Sequence, residues 1–163
     1  CTSGMQKRYW PILPHKYETW VLAMKCGESC TIDGAIFLGM RIIQLNPKAP
    51  EKTTNCTGSV ITFAVKPEKK EELIQFVRAF VEERSTSTDT GICYWSGIKL
   101  PDSPYAKRIK TELLTKEDAE TEAARIGVPF VDSANGKGRI GALGALLWAN
   151  GGVEVAGLYG ESP

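Results

Sequence analysis

The 163 residues of the chain are expected to form one compact domain, residues 1–163, since 42% hydrophobic and 24% charged residues are typical of a packed globular protein. A formal net charge of +1 excludes a chain-wide electrostatic field that would attract nucleic acid, so any RNA contact requires a local patch. The sequence has no run of the roughly 18 apolar residues that a membrane span requires. We therefore expect no membrane contact.

The sequence contains five cysteines and a single histidine. An odd number of widely spaced cysteines, without a signal-peptide pattern, favours reduced thiols in a cytoplasmic protein. Cys26 and Cys30 offer one loose pair of zinc ligands, which Cys56, Cys93 or His15 would have to complete. Structural zinc sites usually combine two close pairs, so ordinary thiols are the favoured interpretation, with neither zinc nor a disulfide.

Hydrophobic periodicity and turn residues predict an α+β fold. Residues 1–19 are rich in proline and aromatic side chains and are predicted to form an extended arm. The predicted strands are 20–24, 36–45, 59–65, 90–95 and 153–159. The predicted helices are 67–84, 104–114, 116–126 and 139–149. The strand–helix–strand order of residues 59–95 is typical of half of a ferredoxin-like or related α+β sandwich.

The first candidate site is the loop of about a dozen residues that begins at Asn46 and ends near Gly58. Loops of this length inside a compact domain are usually functional. Two prolines stiffen the loop, which presents Lys48, Lys52, Thr53 and Asn55. Ammonium and hydroxyl groups on an ordered loop suit phosphate oxygens, because each contact is charge-assisted. The alternative is a solvated turn whose lysines contact no ligand.

The second candidate site is the glycine-rich segment 136–141, which opens the last predicted helix. Glycines such as Gly138 would let backbone N–H groups approach an anion at the helix start, and Lys137 and Arg139 would add positive charge. The spacing is neither that of a Walker A loop nor that of a dinucleotide-binding βαβ unit. The alternative is close helix packing through the small residues 141–144.

Both loops match segments of a known family. Residues 41–53, Arg-Ile-Ile-Gln-Leu-Asn-Pro-Lys-Ala-Pro-Glu-Lys-Thr, are similar to the R-L-x-x-L-N-P-x-x-P-x-K-T segment of the archaeal isoleucine-tRNA agmatidine synthetases. Residues 136–145 resemble that family's K-G-R-G-x-I-G-A-x-A-A segment, with one residue fewer. Residues 89–92, Asp-Thr-Gly-Ile, lie between them at comparable spacing, and the resemblance covers about residues 40–161.

In that family the enzyme uses ATP to join agmatine to the wobble cytidine of an isoleucine tRNA, with the nucleotide between a kinase-like and a ferredoxin-like lobe. The resemblance implies an ATP-dependent, ligase-like enzyme of tRNA processing or a truncated relative. It implies ATP and Mg²⁺ as cofactors, and tRNA or an RNA-binding protein as partner. The implied nucleotide- and phosphate-binding residues are Asn46, Lys52, Thr53, Asn55, Lys137, Gly138 and Arg139. Cys30-Thr31 resembles the family's C-T pair, so Thr31 and Lys52 are the candidate catalytic residues.

The sequence departs from the family at the metal site. The family's acidic D-D-T-D-S segment would hold Mg²⁺, whereas the comparable residues 21–31 contain Glu28 as their one acid. No metal ligand is therefore assigned, and the family's zinc ribbon and OB-fold are not found in the sequence. An alternative to the enzyme is a non-catalytic nucleotide- or partner-binding module that has lost the Mg²⁺-binding acids. Another is an interaction subunit whose N-terminal arm docks a partner that carries the tRNA-binding parts.

Overall fold

The computed structural model describes residues 19–49, 55, 57–85, 89–97 and 99–149. Within this part of the chain, five α-helices and one two-stranded antiparallel sheet form an α+β fold, as the sequence predicts. The elements are α1 Thr19–Glu28, β1 Ala35–Gln44, β2 Thr57–Val65, α2 Lys70–Arg84, α3 Tyr105–Thr111, α4 Lys116–Ile126 and α5 Gly138–Leu147. Nearly all of the predicted arm and the whole of the predicted strand 153–159 lie outside the described residues. None of the helices described has the length and apolar character to cross a membrane.

Strands β1 and β2 form a hairpin whose pairing runs from Ala35 opposite Val65 to Gln44 opposite Thr57. The register shifts between Phe37 and Gly39, where Gly39 has a φ of 141°. A bulge of this kind requires a backbone angle that residues with a side chain rarely adopt. The strands predicted at 36–45 and 59–65 are thus confirmed, with ends within two residues of the predicted ones.

Helices cover both faces of the hairpin. Ile61 of β2 packs with a buried cluster that contains Leu22 of α1 and Phe80 of α2. The neighbouring Val60 packs against the larger cluster, to which α5 contributes Leu143. Since successive side chains of a strand point to opposite faces, α1 and α2 lie on one side of the sheet and α5 on the other.

The strand predicted for residues 20–24 is wrong, because these residues belong to α1. A short apolar run fits a buried helix as well as a buried strand, and periodicity does not separate the two. Packing decides the matter here. Leu22 and Cys26 lie one helical turn apart and both bury against Phe80, which a strand over the same residues would not achieve.

The strand predicted for residues 90–95 is reduced to one isolated bridge, between Cys93 and Phe130. The carbonyl of Ile92 accepts from the N–H of Val131 at 2.9 Å, but the N–H of Ile92 donates to the carboxylate of Asp132 at 3.0 Å. A ladder continues only while backbone groups pair with each other, so the side-chain acceptor ends it. The described residues therefore contain the first strand and the helix of the predicted strand–helix–strand unit, as β2 and α2. Residues 90–95 do not form its second strand.

The predicted helices are present, with differences at their ends. Pro67–Lys69 form a 3-10 turn before α2, and α5 ends at Leu147, two residues before its predicted end. Helix α4 begins and ends as predicted, between a capping box at Thr115 and Asp118 and a left-handed Gly127 with a φ of 81°. Helix α3 ends at Thr111, three residues before its predicted end, because Glu112 adopts an extended conformation. The chain then turns, and the backbone of Leu114 forms hydrogen bonds with the side chain of Asn55.

The capping box of α4 allows a test of this local design. Thr115 accepts from the N–H of Asp118 at 3.1 Å, and the Asp118 carboxylate accepts from the N–H of Thr115 at 2.9 Å. We expect Thr115→Ala to lower the free energy of unfolding by about 1 kcal/mol, and Thr115→Ser to retain most of it. Urea denaturation measures both, and equal midpoints for the alanine variant and the parent would contradict the prediction.

The same box predicts a pH dependence. The hydrogen bond from the Thr115 N–H holds the pKa of Asp118 below its usual value. A carboxyl whose pKa is lowered on folding stabilises the protein above its unfolded pKa, and this contribution disappears as the pH falls through the folded pKa. The difference in unfolding midpoint between the parent and Asp118→Ala, measured by urea denaturation, should therefore narrow in acid.

Candidate functional site at the start of helix α5

The glycine-rich segment before α5 packs against the chain that follows α2. The N–H of Gly138 donates to the carbonyl of Asp89 at 2.7 Å. A Cβ on Gly136 would lie 2.7 Å from Oδ1 of Asp89, and a Cβ on Gly91 or Gly138 would collide with the backbone of the opposite segment. Only residues without side chains permit this approach. Residues 89–91 and 136–138 are called the glycine junction below.

The first N–H groups of α5 bond within the protein. Besides Gly138, Arg139 donates to the carbonyl of Gly136 at 3.2 Å, and Ile140 donates to that of Lys137 at 3.0 Å. An anion at a helix start is bound by N–H groups that lack such partners. The backbone of Gly138 thus takes part in close packing between two segments, and its predicted contact with phosphate stays a prediction.

The side chain of Arg139, also predicted to bind phosphate, is enclosed by two carboxylates and a ring. Its Nε lies 3.1 Å from Oδ2 of Asp132, and its Nη1 lies 2.9 Å from Oε2 of Glu120. The guanidinium also lies 4.6 Å from the ring centroid of Phe130. Only 15% of the side chain is exposed, so the structure gives Arg139 the role of an internal counter-ion.

Asp132 is a residue that the sequence analysis did not single out. Its side chain has no exposed surface. The carboxylate accepts from the N–H of Ile92 at 3.0 Å and from the N–H of Asn135 at 2.9 Å, in addition to Arg139. An Asp three residues before an Asn-Gly pair is a turn pattern that could have indicated this role, since Asp side chains often bond backbone N–H groups nearby.

Two asparagines close the ends of the loop between the strands. The N–H of Asn46 donates to the carbonyl of Asn55 at 2.9 Å. The fully buried Asn55 amide accepts from the N–H of Leu114 at 2.9 Å and donates to its carbonyl at 3.3 Å. Nδ2 of Asn46 lies 3.5 Å from the carbonyl of Glu112. Both asparagines, predicted to bind phosphate, therefore attach the loop to the chain between α3 and α4.

The end of this loop also lies against α5. A Cβ on Gly58 would lie 2.6 Å from Cβ of Ala145 and 2.7 Å from the carbonyl of Gly141, one helical turn beyond Gly138. The loop and the glycine junction thus both adjoin the first half of α5. Lys52 and Thr53 lie outside the described residues, so their predicted approach to Lys137 and Arg139 stays a prediction. Lys137 itself is exposed at the junction.

Thr31, predicted to be catalytic, lies at the other end of the hairpin. It lines an open groove of about 750 Å³, which also includes Asp33 and Lys66. Thr31 precedes β1 while Asn46 follows it, and a strand of ten residues separates its ends by about 30 Å. The structure therefore does not bring Thr31 together with Asn46, Asn55 or the glycine junction.

The cysteines described are free thiols. Burial raises the pKa of Cys26 and that of Cys93 to about 12, so both thiols are protonated at neutral pH. Among the described residues there is no group of three or more His, Cys, Asp or Glu side chains that could hold a metal ion. The expectations about zinc and disulfides also involve Cys1, Cys56 and His15, which lie outside this part of the chain.

The asparagine contacts lead to a stability prediction. Asn55→Ala would leave the buried N–H and carbonyl of Leu114 without their partners, and we expect it to lower the free energy of unfolding by about 1–3 kcal/mol. Thr57→Ala is the control, because Thr57 is an exposed polar residue of the same segment and should change it by less than about 0.5 kcal/mol. Similar losses in both variants would contradict a structural role for the Asn55 amide.

Comparisons with known proteins agree with the resemblance in the two loops. No protein-family model matches the sequence. The chain is 34% identical over 131 residues to an uncharacterised protein of Methanocaldococcus jannaschii, which covers 78% of this chain and 44% of that protein. It is 30% identical over 112 residues to the isoleucine-tRNA 2-agmatinylcytidine synthetase of Pyrococcus horikoshii, which covers 65% of this chain and 26% of that enzyme.

The fold has a counterpart among solved structures. The crystal structure of a tRNA fluorescent labelling enzyme superposes with a TM-score of 0.56 at 27% sequence identity, over 77% of this chain and 30% of that one. The chain spans less than half the length of each of these three proteins. Sequence and fold agree that it is a divergent, partial relative of the isoleucine-tRNA 2-agmatinylcytidine synthetases.

Proposed function

We propose that the chain is the nucleotide-binding part of an ATP-dependent, ligase-like enzyme that modifies tRNA. One observation carries the proposal. The three segments that resemble the synthetases, residues 41–53, 89–92 and 136–145, are far apart in the sequence but adjoin one another around α5 wherever they are described. Segments that form one site must converge, and these segments meet that requirement. The tRNA-acting relatives supply the proposed substrate class, and the proposed compartment is the cytoplasm.

We infer that the ligand is bound by exposed side chains beside the glycine junction. Lys137 is exposed immediately before α5, where the helix dipole favours negative charge. Lys52 and Thr53 belong to the loop whose ends Asn46 and Asn55 hold against the rest of the fold. In this proposal the two lysines and Thr53 contact phosphate groups, and the asparagines keep the loop in place.

Magnesium fits this site through one acid. The exposed Asp89 lies at the junction, with Oδ1 close to Gly136. Protein sites often hold Mg²⁺ through one or two carboxylates together with substrate phosphates, because the ion retains several water ligands. When bound, Mg²⁺ would neutralise charge on the phosphates of ATP. Asp89 would supply the protein's carboxylate.

The lobes implied by the resemblance remain part of the proposal. We assign β2 and α2 to a ferredoxin-like lobe, since they follow each other as its strand and helix would. The bridge between Cys93 and Phe130 occupies the sequence position of the next strand. The helices that follow, with α5 against the hairpin, would belong to the kinase-like lobe.

A non-catalytic nucleotide- or partner-binding module is the second candidate, and one observation favours it. The residues comparable to the family's acidic strand form the buried helix α1, whose one acid is Glu28. In this helix the side chains of Leu22 and Cys26 are buried in an apolar cluster and have no exposed position from which to reach a metal. Such a module would bind ATP but would not require Mg²⁺.

Calorimetric titration with ATP separates the two candidates. For the enzyme, we expect binding that strengthens when Mg²⁺ is added, because the ion links the phosphates to Asp89. Asp89→Asn should then remove most of the Mg²⁺ effect and leave metal-free binding close to that of the parent. Equal affinity with and without Mg²⁺ would favour the non-catalytic module. Absence of binding under both conditions would contradict nucleotide binding altogether.

A pair of lysine variants locates the site. Lys52→Ala should weaken ATP binding roughly ten- to a hundredfold, because a charge-assisted phosphate contact contributes about 1.5–3 kcal/mol. Its stability should change by less than about 0.5 kcal/mol. Lys66→Ala removes an exposed lysine beside Thr31, at the other end of the hairpin, and should leave the affinity unchanged. The reverse pattern would place the site in the Thr31 groove.

A further inference from the structure

We propose that Asp132 is a positioning residue of the nucleotide site, which sets the distance between residues 89–92 and α5 without contacting the ligand. The affinity readout of this proposal rests on the proposed nucleotide binding, whereas its structural readout does not. The same contacts give Arg139 a role that differs from the phosphate ligand implied by the family resemblance. In this proposal Arg139 holds the Asp132 carboxylate in place and does not itself bind phosphate.

The carboxylate of Asp132 joins three segments of chain. It accepts from the N–H of Ile92 on one side of the glycine junction at 3.0 Å. It accepts from the N–H of Asn135 at 2.9 Å, which fixes the turn that precedes the junction's other side. It accepts from Nε of Arg139, in the first turn of α5, at 3.1–3.2 Å. One side chain thus determines how all three approach one another.

The glycine junction needs such a residue. Gly91, Gly136 and Gly138 bring two backbones together but have no side chains that could fix their spacing. The turn that bears Asp132 is itself attached to α2, since Glu82 accepts from both the N–H and the hydroxyl of Ser133. Asp132 is therefore a fixed point from which the spacing of the junction is set.

The charges at Asp132 distinguish a positioning role from a ligand role for Arg139. Asp132→Asn retains the shape of the side chain but removes its negative charge. If Arg139 bound phosphate, the substitution would free positive charge and would maintain or strengthen ATP binding. If Arg139 acts through Asp132, the substitution loosens the junction and weakens binding. The two roles predict effects of opposite sign.

The experiment compares the full chain with Asp132→Asn by ATP calorimetry and by amide hydrogen exchange followed by NMR. We expect about tenfold weaker ATP binding, a typical loss when one of several coupled contacts is removed. The amides of Ile92 and Gly138 should exchange faster, because the first donates to Asp132 itself and the second donates across the junction to the carbonyl of Asp89. The amides of α2 should exchange as in the parent.

Glu122→Gln is the matched control. Glu122 is also a largely buried carboxylate paired with an arginine, Arg125, at 2.8 Å, but it lies on α4 without a contact to the glycine junction in the described structure. Its substitution should lower stability without changing ATP affinity or the exchange of Gly138. If Asp132→Asn fails to fold, Asp132→Glu retains the charge, moves it by one methylene group and is expected to act in the same direction.

Each outcome decides a separate claim. Unchanged exchange at Ile92 and Gly138 in the Asp132 variant would overturn the positioning role. Faster exchange with equal or stronger ATP binding would overturn it as well and would return Arg139 to the ligand role. If the parent binds no ATP, the proposed function fails, while the exchange data still decide whether Asp132 sets the spacing of the junction.

Discussion

The buried ion pair between Asp132 and Arg139 is the interaction on which the described structure around α5 depends. A charge removed from water costs several kcal/mol unless counter-charges and hydrogen bonds replace its solvent. Glu120, Phe130 and two backbone N–H groups complete that replacement here. Because a partial set would be unfavourable, the folded structure brings together all of the segments that supply these groups. The irregular chain beside the pair is thereby ordered without belonging to a helix or a sheet.

The Asn55 amide solves the same problem at the end of the hairpin with neutral groups. Leu114 lies between two helices, where its N–H and carbonyl have no helical or sheet partner, and burial would make both costly. One side chain satisfies both. The side chains of Asp132 and Asn55 thus form hydrogen bonds with backbone groups that secondary structure leaves unpaired. This explains why polar residues occupy the least exposed positions of the candidate site.

The sequence predicted those elements whose determinants are local. The alternation of β2 and the capping box at Thr115 act over a few residues, so their positions follow from the pattern alone. The fate of residues 90–95 depends on Asp132, which lies about forty positions along the chain. The site was predicted in the same uneven way: the resemblance identified segments that adjoin one another, but Arg139 and Asn55 bind groups of the protein itself. A guanidinium suits carboxylate and phosphate alike, so residue type alone does not reveal which partner is present.

Packing is therefore the first constraint on which residues can occupy the segments that resemble the synthetases. The close approach of two backbones leaves no room for a side chain at Gly91 or Gly138. The buried carboxylate of Asp132 requires a counter-charge and hydrogen-bond donors beside it. A magnesium site is less demanding, because substrate phosphates and water can supply most of its ligands. Packing residues can thus persist where acidic metal ligands do not. It follows that ligand contacts are to be sought among exposed residues that border the glycine junction, such as Asp89 and Lys137, and not among the buried residues that hold it together.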